Sequence, residues 1–117
     1  MTTTRETIKY SQGKIYKIEP IVEHDEEDIY IGSTCCEYLS QRMKSHRADY
    51  KKWREGKQHL TTSFNLLEKY GVENCQILLL ESVCCENINE LKTREAYYIR
   101  NLCCVNKIIP LRTHKEY

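Results

Sequence analysis

The fold of this chain is decided by residues 13–33, GKIYKIEPIVEHDEEDIYIGS. Two short runs rich in Ile and Tyr flank an acidic segment that contains a proline, and this pattern predicts two strands of a hairpin. Side chains alternate across a strand, so we expect Tyr16 to share a face with Ile18 and Tyr30 to point away from its Ile neighbours. In an antiparallel pair the two phenols could contact one ligand, although tyrosine is also common in ordinary sheets.

Length and composition indicate one soluble globular domain. The chain has 117 residues, 40% hydrophobic and 30% charged, enough for a single modest core. No stretch approaches the roughly 18 uncharged apolar residues of a membrane span. The N-terminus has no apolar signal core, so we expect an intracellular, reducing compartment, cytoplasm or nucleus, and no membrane partner. We expect a polar tail at 1–12, a domain at 13–107 and a second tail at 108–117.

Charge is distributed unevenly although its sum is only +1. Residues 19–28 hold six acids and no Lys or Arg, whereas residues 42–57 hold seven bases against two acids. The basic segment is a plausible electrostatic footprint for a phosphate backbone, and the alternative is a solvated helix face. The candidate nucleic-acid-binding residues in it are Lys44, Arg47, Lys51, Lys52 and Arg54.

Three helices are predicted from apolar spacings of three and four residues. The first is expected at about 37–55, where Ser33-Thr34 can supply its cap, and Gly56 should end it. The second is expected at about 60–70, with Leu60 on its inward face and Gly71 as its stop. The last should reach about residue 102. Its cap is one of two asparagines, Asn87 or Asn89.

Between the second and last helices, residues 74–81 form a mostly apolar run with polar ends. Such a run predicts a strand that is buried on both faces of a sheet. The resulting order is β-β-α-α-β-α. We therefore predict the α/β class, as a small sandwich with a three-stranded, largely antiparallel sheet flanked by helices.

The last helix carries a carboxylate on its apolar side. At 100° per residue its buried stripe is predicted to contain Ile88, Leu91, Tyr98 and Leu102. Glu95 lies in the middle of that stripe. An inward carboxylate costs several kcal/mol unless it is paired or binds a cation. Glu95 therefore predicts a Mg²⁺ site, because Mg²⁺ needs few protein ligands, or else a structural pair with a buried Arg or Tyr.

Two further polar residues lie on one face of the first helix. Arg42 and His46 are four residues apart, so their side chains are neighbours. Arg42 flanks the apolar stripe and could lean over the sheet, or it could be a solvated charge. His46 lies inside the stripe, which suits either a functional or a core histidine.

The seven cysteines form three adjacent pairs with Cys75 alone. No spacing typical of zinc ligands is present, and an odd number argues against a complete disulfide framework. We expect most of them to be small packing residues. A zinc- or redox-responsive role is the alternative.

Residues 13–16 (GKIY) and 30–32 (YIG) resemble the motif pair of the GIY-YIG nuclease superfamily. In that family the two tyrosines are followed by an Arg, often a His one turn later, then a metal-binding Glu and an Asn. This chain offers the same series in order: Tyr16, Tyr30, Arg42, His46, Glu95 and Asn106. His59, with the Ser/Thr-rich segment at 61–64, is similar to a segment of phage homing endonucleases and adds a candidate DNA contact.

The resemblance implies that residues 13–107 are a nuclease domain that hydrolyses DNA with Mg²⁺, or Mn²⁺ as a substitute, and leaves 5′-phosphate and 3′-hydroxyl ends. It implies that Glu95 binds the metal and that Tyr16 is the general base, directly or through His46. Arg42 would favour the phenolate and contact phosphate oxygens.

The remaining implied roles concern Tyr30, which would orient the water or a phosphate oxygen, and Asn106, which would hold the metal shell or close the sheet edge. The compact form is similar to stand-alone members, including those of large DNA viruses and mobile elements. Homodimerisation, a targeting partner or substrate structure would then select the target. A non-catalytic nucleic-acid-binding module on the same fold is the alternative function.

Overall fold

The computed structural model describes residues 10–106, so the tail predicted at 108–117 and most of the tail at 1–12 lie outside the described residues. The described strands and helices are β1 (Gly13–Pro20), β2 (Tyr30–Thr34), α1 (Leu39–Arg54), α2 (Ser63–Tyr70), β3 (Cys75–Val83) and α3 (Ile88–Asn101). The predicted element order is confirmed. No helix within residues 10–106 combines the length and the apolar character needed to cross a membrane.

The strands form one antiparallel sheet in the order β2-β1-β3. In the hairpin, Tyr16 lies opposite Gly32 and Ile18 lies opposite Tyr30. The predicted hairpin and three-stranded sheet are thus confirmed. The pairing of β1 with β3 is interrupted at Tyr16 by a register shift, which leaves one extra residue, Leu80, on β3. Such a bulge bends the strand locally and re-aims the adjacent side chains.

Strand β1 is the centre of the molecule, and both of its faces are covered. Its residues Ile15, Tyr16 and Ile18 are completely buried. Helices α1 and α2 contribute to the core on the Tyr16 face, with buried residues Met43, Tyr50, Phe64, Leu66 and Leu67. Helix α3 contributes Leu91 and Ile99 to the core on the Ile15 face, which also contains the buried residues Ile29, Ile31 and Cys85. The sheet therefore separates two small cores.

The prediction that residues 74–81 form a strand buried on both faces is wrong. Strand β3 lies at the edge of the described sheet, and the side chain of Leu79 is 50% exposed. The covered position belongs to β1. An apolar run indicates an affinity for the interior, but strand order depends on the tertiary packing of distant segments, which the run does not contain.

Two predicted helix starts are also wrong. Thr34 ends strand β2, so Ser33-Thr34 do not cap α1; the cap residue is Tyr38, whose backbone N–H donates to the Gln41 side chain at 3.2 Å. Helix α2 starts at Ser63, and Leu60 is exposed before it. The stops are confirmed, because the glycines after α1 and α2 have positive φ angles of 75° and 95°.

The last helix is capped as predicted, because the Asn87 side chain accepts from the Glu90 N–H at 3.1 Å. The buried stripe of this helix differs from the predicted stripe at both ends. Ile88 and Leu102 are exposed, since they lie at the two ends of the helix. Glu95 is buried, as its place on the projection predicts.

Candidate active site

The two hairpin tyrosines lie on the same face of the sheet. Their ring centroids are 6.5 Å apart. The ring of Tyr16 crosses directly over Gly32, where an added Cβ atom would overlap the Cζ and Oη atoms of the phenol. Position 32 must therefore lack a side chain for the Tyr16 phenol to lie across strand β2, a requirement that the sequence alone did not reveal.

The Tyr16 hydroxyl is held by a network of side chains from both helices on its face. Its Oη atom lies 2.7 Å from His46 Nε2, and the Arg42 Nε–H donates to it at 3.2 Å. On the other side of the imidazole, Nδ1 lies 3.1 Å from the Ser63 Oγ atom. Ser63 is completely buried at the first position of α2. Only its place in the Ser/Thr-rich segment at 61–64 could have indicated it.

Burial governs the protonation of this network. It raises the pKa of the Tyr16 phenol well above its ordinary range, and the nearby Arg42 guanidinium only reduces the rise. Burial, with the charge of Glu95, raises the pKa of Tyr30 to about 12. Burial, with Arg42, lowers the pKa of His46 to about 3. Arg42 favours the phenolate, as expected, but desolvation outweighs this one partly exposed guanidinium, so Tyr16 keeps its proton.

Glu95 is a buried carboxylate with little compensation. Its side chain is 7% exposed, and its ion-pair partner is Lys92, whose Nζ atom lies 3.6 Å from Oε1. Among residues 10–106 no group donates a hydrogen bond to it, and the expected alternative partner, a buried Arg or Tyr, is not found there. The nearby Arg94 and Tyr98 instead bind Glu81.

The donor chemistry at Glu95 fits a hard cation better than zinc. Within the described part of the chain no three His, Cys, Asp or Glu side chains converge on a common metal position. A single carboxylate supplemented by water suits Mg²⁺ or Mn²⁺, whereas structural zinc takes four protein ligands. Cys75 and Cys85 belong to the two cores, and burial raises the pKa of both thiols. They are packing residues.

Asn106 pairs with the outer edge of strand β2. Its Nδ2 donates to the Ile31 carbonyl at 2.8 Å, and its Oδ1 accepts from the Ile31 N–H at 2.9 Å. The Val105 N–H continues this pairing with the Ile29 carbonyl. Of the two roles expected for Asn106, this geometry is that of a residue that closes the sheet edge.

The predicted nucleic-acid-binding residues are exposed but do not surround the tyrosines. On a helical projection Arg47 and Arg54 lie on the flank of α1 opposite Arg42, and Lys44 and Lys51 point outward. His59 is exposed between α1 and α2, and Lys52 is exposed on the Arg42 side of the outer face. Arg54 is paired with Glu68 at 3.1 Å, which reduces its availability to a ligand.

The structure thus brings four predicted residues together, namely Tyr16, Tyr30, Arg42 and His46, with the charge of Glu95 acting on both phenols. Comparison with protein-family models, curated proteins and solved structures finds no match to this chain. The chemistry of the site is therefore argued from its own residues.

Proposed function

We propose that this protein is a metal-dependent endonuclease that hydrolyses DNA phosphodiester bonds. The observation that carries the proposal is Glu95, a carboxylate that is 7% exposed, has a loose ion pair and receives no hydrogen bond from residues 10–106. Burial of such a group costs several kcal/mol, which a site for a cation would explain. The phenols, guanidinium and imidazole near it supply the remaining groups for attack on a phosphate.

The role of Glu95 is to bind the metal. A Mg²⁺ ion there, or Mn²⁺ in its place, would polarise the scissile phosphate and stabilise the leaving 3′ oxygen. Water would complete the coordination shell, because Mg²⁺ keeps most of its waters when few carboxylates are present.

The proton of the attacking water would pass through Tyr16 to His46. The imidazole is neutral near pH 7, because its pKa is about 3, so Nε2 carries a free lone pair. The negative charge of a bound phosphate would have to raise the basicity of Nε2 for it to take the phenol proton. As Tyr16 takes a proton from water it gives its own to His46, and no free phenolate has to accumulate. The proposal requires the tautomer in which the Nδ1–H donates to Ser63 Oγ, 3.1 Å away, and Nε2 is the acceptor.

Arg42 and Tyr30 complete the site. Arg42 uses its Nε–H on Tyr16, and its terminal N–H groups remain to bind phosphate oxygens as negative charge develops. The Tyr30 hydroxyl has no hydrogen-bond partner among the described residues, and it is directed to the same face as Tyr16. It can orient the water or a phosphate oxygen.

The test is cleavage of supercoiled, branched and single-stranded DNA by the wild type and by Glu95→Gln, in Mg²⁺, Mn²⁺ and EDTA. We expect Glu95→Gln to lose at least about a hundredfold in rate, the usual cost of removing a group that stabilises the transition state. Glu23→Gln, which changes an exposed carboxylate of the β1–β2 loop, is the matched control and should cleave normally.

Undiminished cleavage by pure, folded Glu95→Gln would remove this residue from the mechanism. DNA binding that survives EDTA, with no nicking by the wild type in either metal, would instead support the non-catalytic nucleic-acid-binding module.

A further inference from the structure

We propose that Lys92 occupies the cation position at Glu95 and competes with the divalent metal for its carboxylate. Lys92 is then a positioning residue that sets how tightly the site holds metal before DNA arrives. The inference rests on the proposed function, because it assumes that Glu95 is the metal ligand.

The first argument is the placement of the Lys92 ammonium. Lys92 and Glu95 are three residues apart on α3 and are therefore neighbours on its surface. The Lys92 side chain is 37% exposed whereas that of Glu95 is 7% exposed. Lys92 is thus the more exposed member of the pair, and a cation that approaches the carboxylate from solution would meet its positive charge.

The second argument is the length of the contact. A Nζ to Oε1 separation of 3.6 Å is longer than the roughly 2.7–2.9 Å of a charge-assisted hydrogen bond. The ammonium therefore balances the charge of Glu95 but does not saturate its oxygen atoms. A divalent cation that binds those oxygens directly would interact more strongly.

The third argument is that Lys92 has a second anchor. Its Nζ donates to the Ser33 Oγ atom at 3.3 Å, so the side chain is held against strand β2. After displacement from Glu95 the ammonium stays beside β2, the strand that carries Tyr30. The Ser33 contact therefore leaves the ammonium with a hydrogen-bond partner after a metal ion displaces it from Glu95.

The experiment is a titration of DNA-free protein with Mn²⁺, followed by electron paramagnetic resonance of the unbound ion. Lys92→Met keeps the length of the side chain and removes its charge, so we expect Mn²⁺ to bind about fivefold more tightly, as removal of one competing charge pair implies. Lys92→Arg, which restores the charge, should return the affinity towards the wild-type value. Arg100→Met, which removes an exposed charge from the same helix, is the matched control and should match the wild type.

Glu95→Gln separates this proposal from the proposed function. Loss of Mn²⁺ binding in Glu95→Gln, with unchanged or weaker binding in Lys92→Met, would overturn the role of Lys92 alone. If Glu95→Gln bound Mn²⁺ as tightly as the wild type does, the metal site itself would be overturned, and the role of Lys92 with it.

Discussion

The Tyr16 hydroxyl lies between an imidazole and a guanidinium, yet burial keeps its proton in place. An isolated guanidinium would stabilise the phenolate. Removal of the ring from water, however, destabilises the phenolate by more than this attraction stabilises it. The neutral His46 adds a ring nitrogen 2.7 Å from the phenol oxygen. In the proposed nuclease mechanism this arrangement favours proton transfer during attack over a standing negative charge on Tyr16.

The buried His46 should make the protein sensitive to mild acid. Its pKa is lowered to about 3, mainly by burial, whereas an unfolded histidine titrates near about 6.5, so the unfolded state binds more protons between these values. Stability is therefore lost as the pH falls through this window. We expect a loss of about 1.4 kcal/mol in the free energy of unfolding between about pH 7.5 and 5.5, measured by urea denaturation.

His46→Gln should remove this pH dependence, whereas His59→Gln, a change of an exposed histidine, should keep it. Protonation of Asp28 cannot cause the same loss of stability in this pH range. Hydrogen bonds from Lys69 and Tyr70 lower the pKa of its carboxyl below 3.8, so its contribution is lost only at a lower pH. An equal acid response in wild type and His46→Gln would show that His46 is not the buried neutral group.

At the scale of the elements, strand β2 depends on Asn106 for its outer hydrogen bonds. Asn106→Ala removes both bonds to Ile31, and we expect a loss of about 1–3 kcal/mol in the free energy of unfolding, with faster exchange of the Ile31 amide hydrogen. Hydrogen exchange followed by NMR measures the local effect. Asn101→Ala removes an exposed contact with its own helix and is the control.

The same measurement separates the two roles expected for Asn106. If Asn106→Ala abolished cleavage while the Ile31 amide kept its protection, Asn106 would act at the metal shell and not at the sheet edge.

The elements that sequence predicts well are those fixed by local chemistry. The hairpin follows from alternating Ile and Tyr, and the Asn87 cap and the stops at Gly56 and Gly71 follow from the backbone geometry of those residues. The failures are tertiary. Leu79 resembles a core residue in its segment, and only the sheet order shows that β3 is an edge strand.

The residues of the site divide in the same way, into those that local sequence predicts and those that depend on tertiary packing. Helical spacing predicted the neighbours Arg42 and His46 and the inward direction of Glu95. Ser63 was missed because its partner comes from another helix, and its role is visible only when α1 and α2 pack together. Lys92 could have been noticed, since it lies three residues before Glu95 on the same helix.

For the whole molecule, the net charge of +1 conceals a basic helix and an acidic loop. Binding of DNA to α1 should release counterions, so the double variant Lys44→Gln/Lys51→Gln is expected to reduce the slope of log affinity against log salt by about 1.8, or about 0.9 per lost charge. Fluorescence anisotropy over a range of salt concentrations measures it. Arg54→Gln should change the slope less, because Arg54 is paired with Glu68.

An unchanged slope in the double variant would mean that DNA reaches the tyrosines without touching the outer face of α1. The flank near Arg42 would then be the contact surface, and Arg47 and Arg54, which lie on the opposite flank, would take no part in it.

The ring of Tyr16 rests on bare backbone at Gly32, and this contact has a mechanical consequence. Small shifts of a strand are normally absorbed by rotamer changes in the side chains that separate it from its neighbours. Here no side chain intervenes, so any sideways displacement of β2 is transmitted in full to the phenol. The hydrogen bonds of Asn106 to the outer edge of that strand therefore help to keep the Tyr16 hydroxyl aligned with His46.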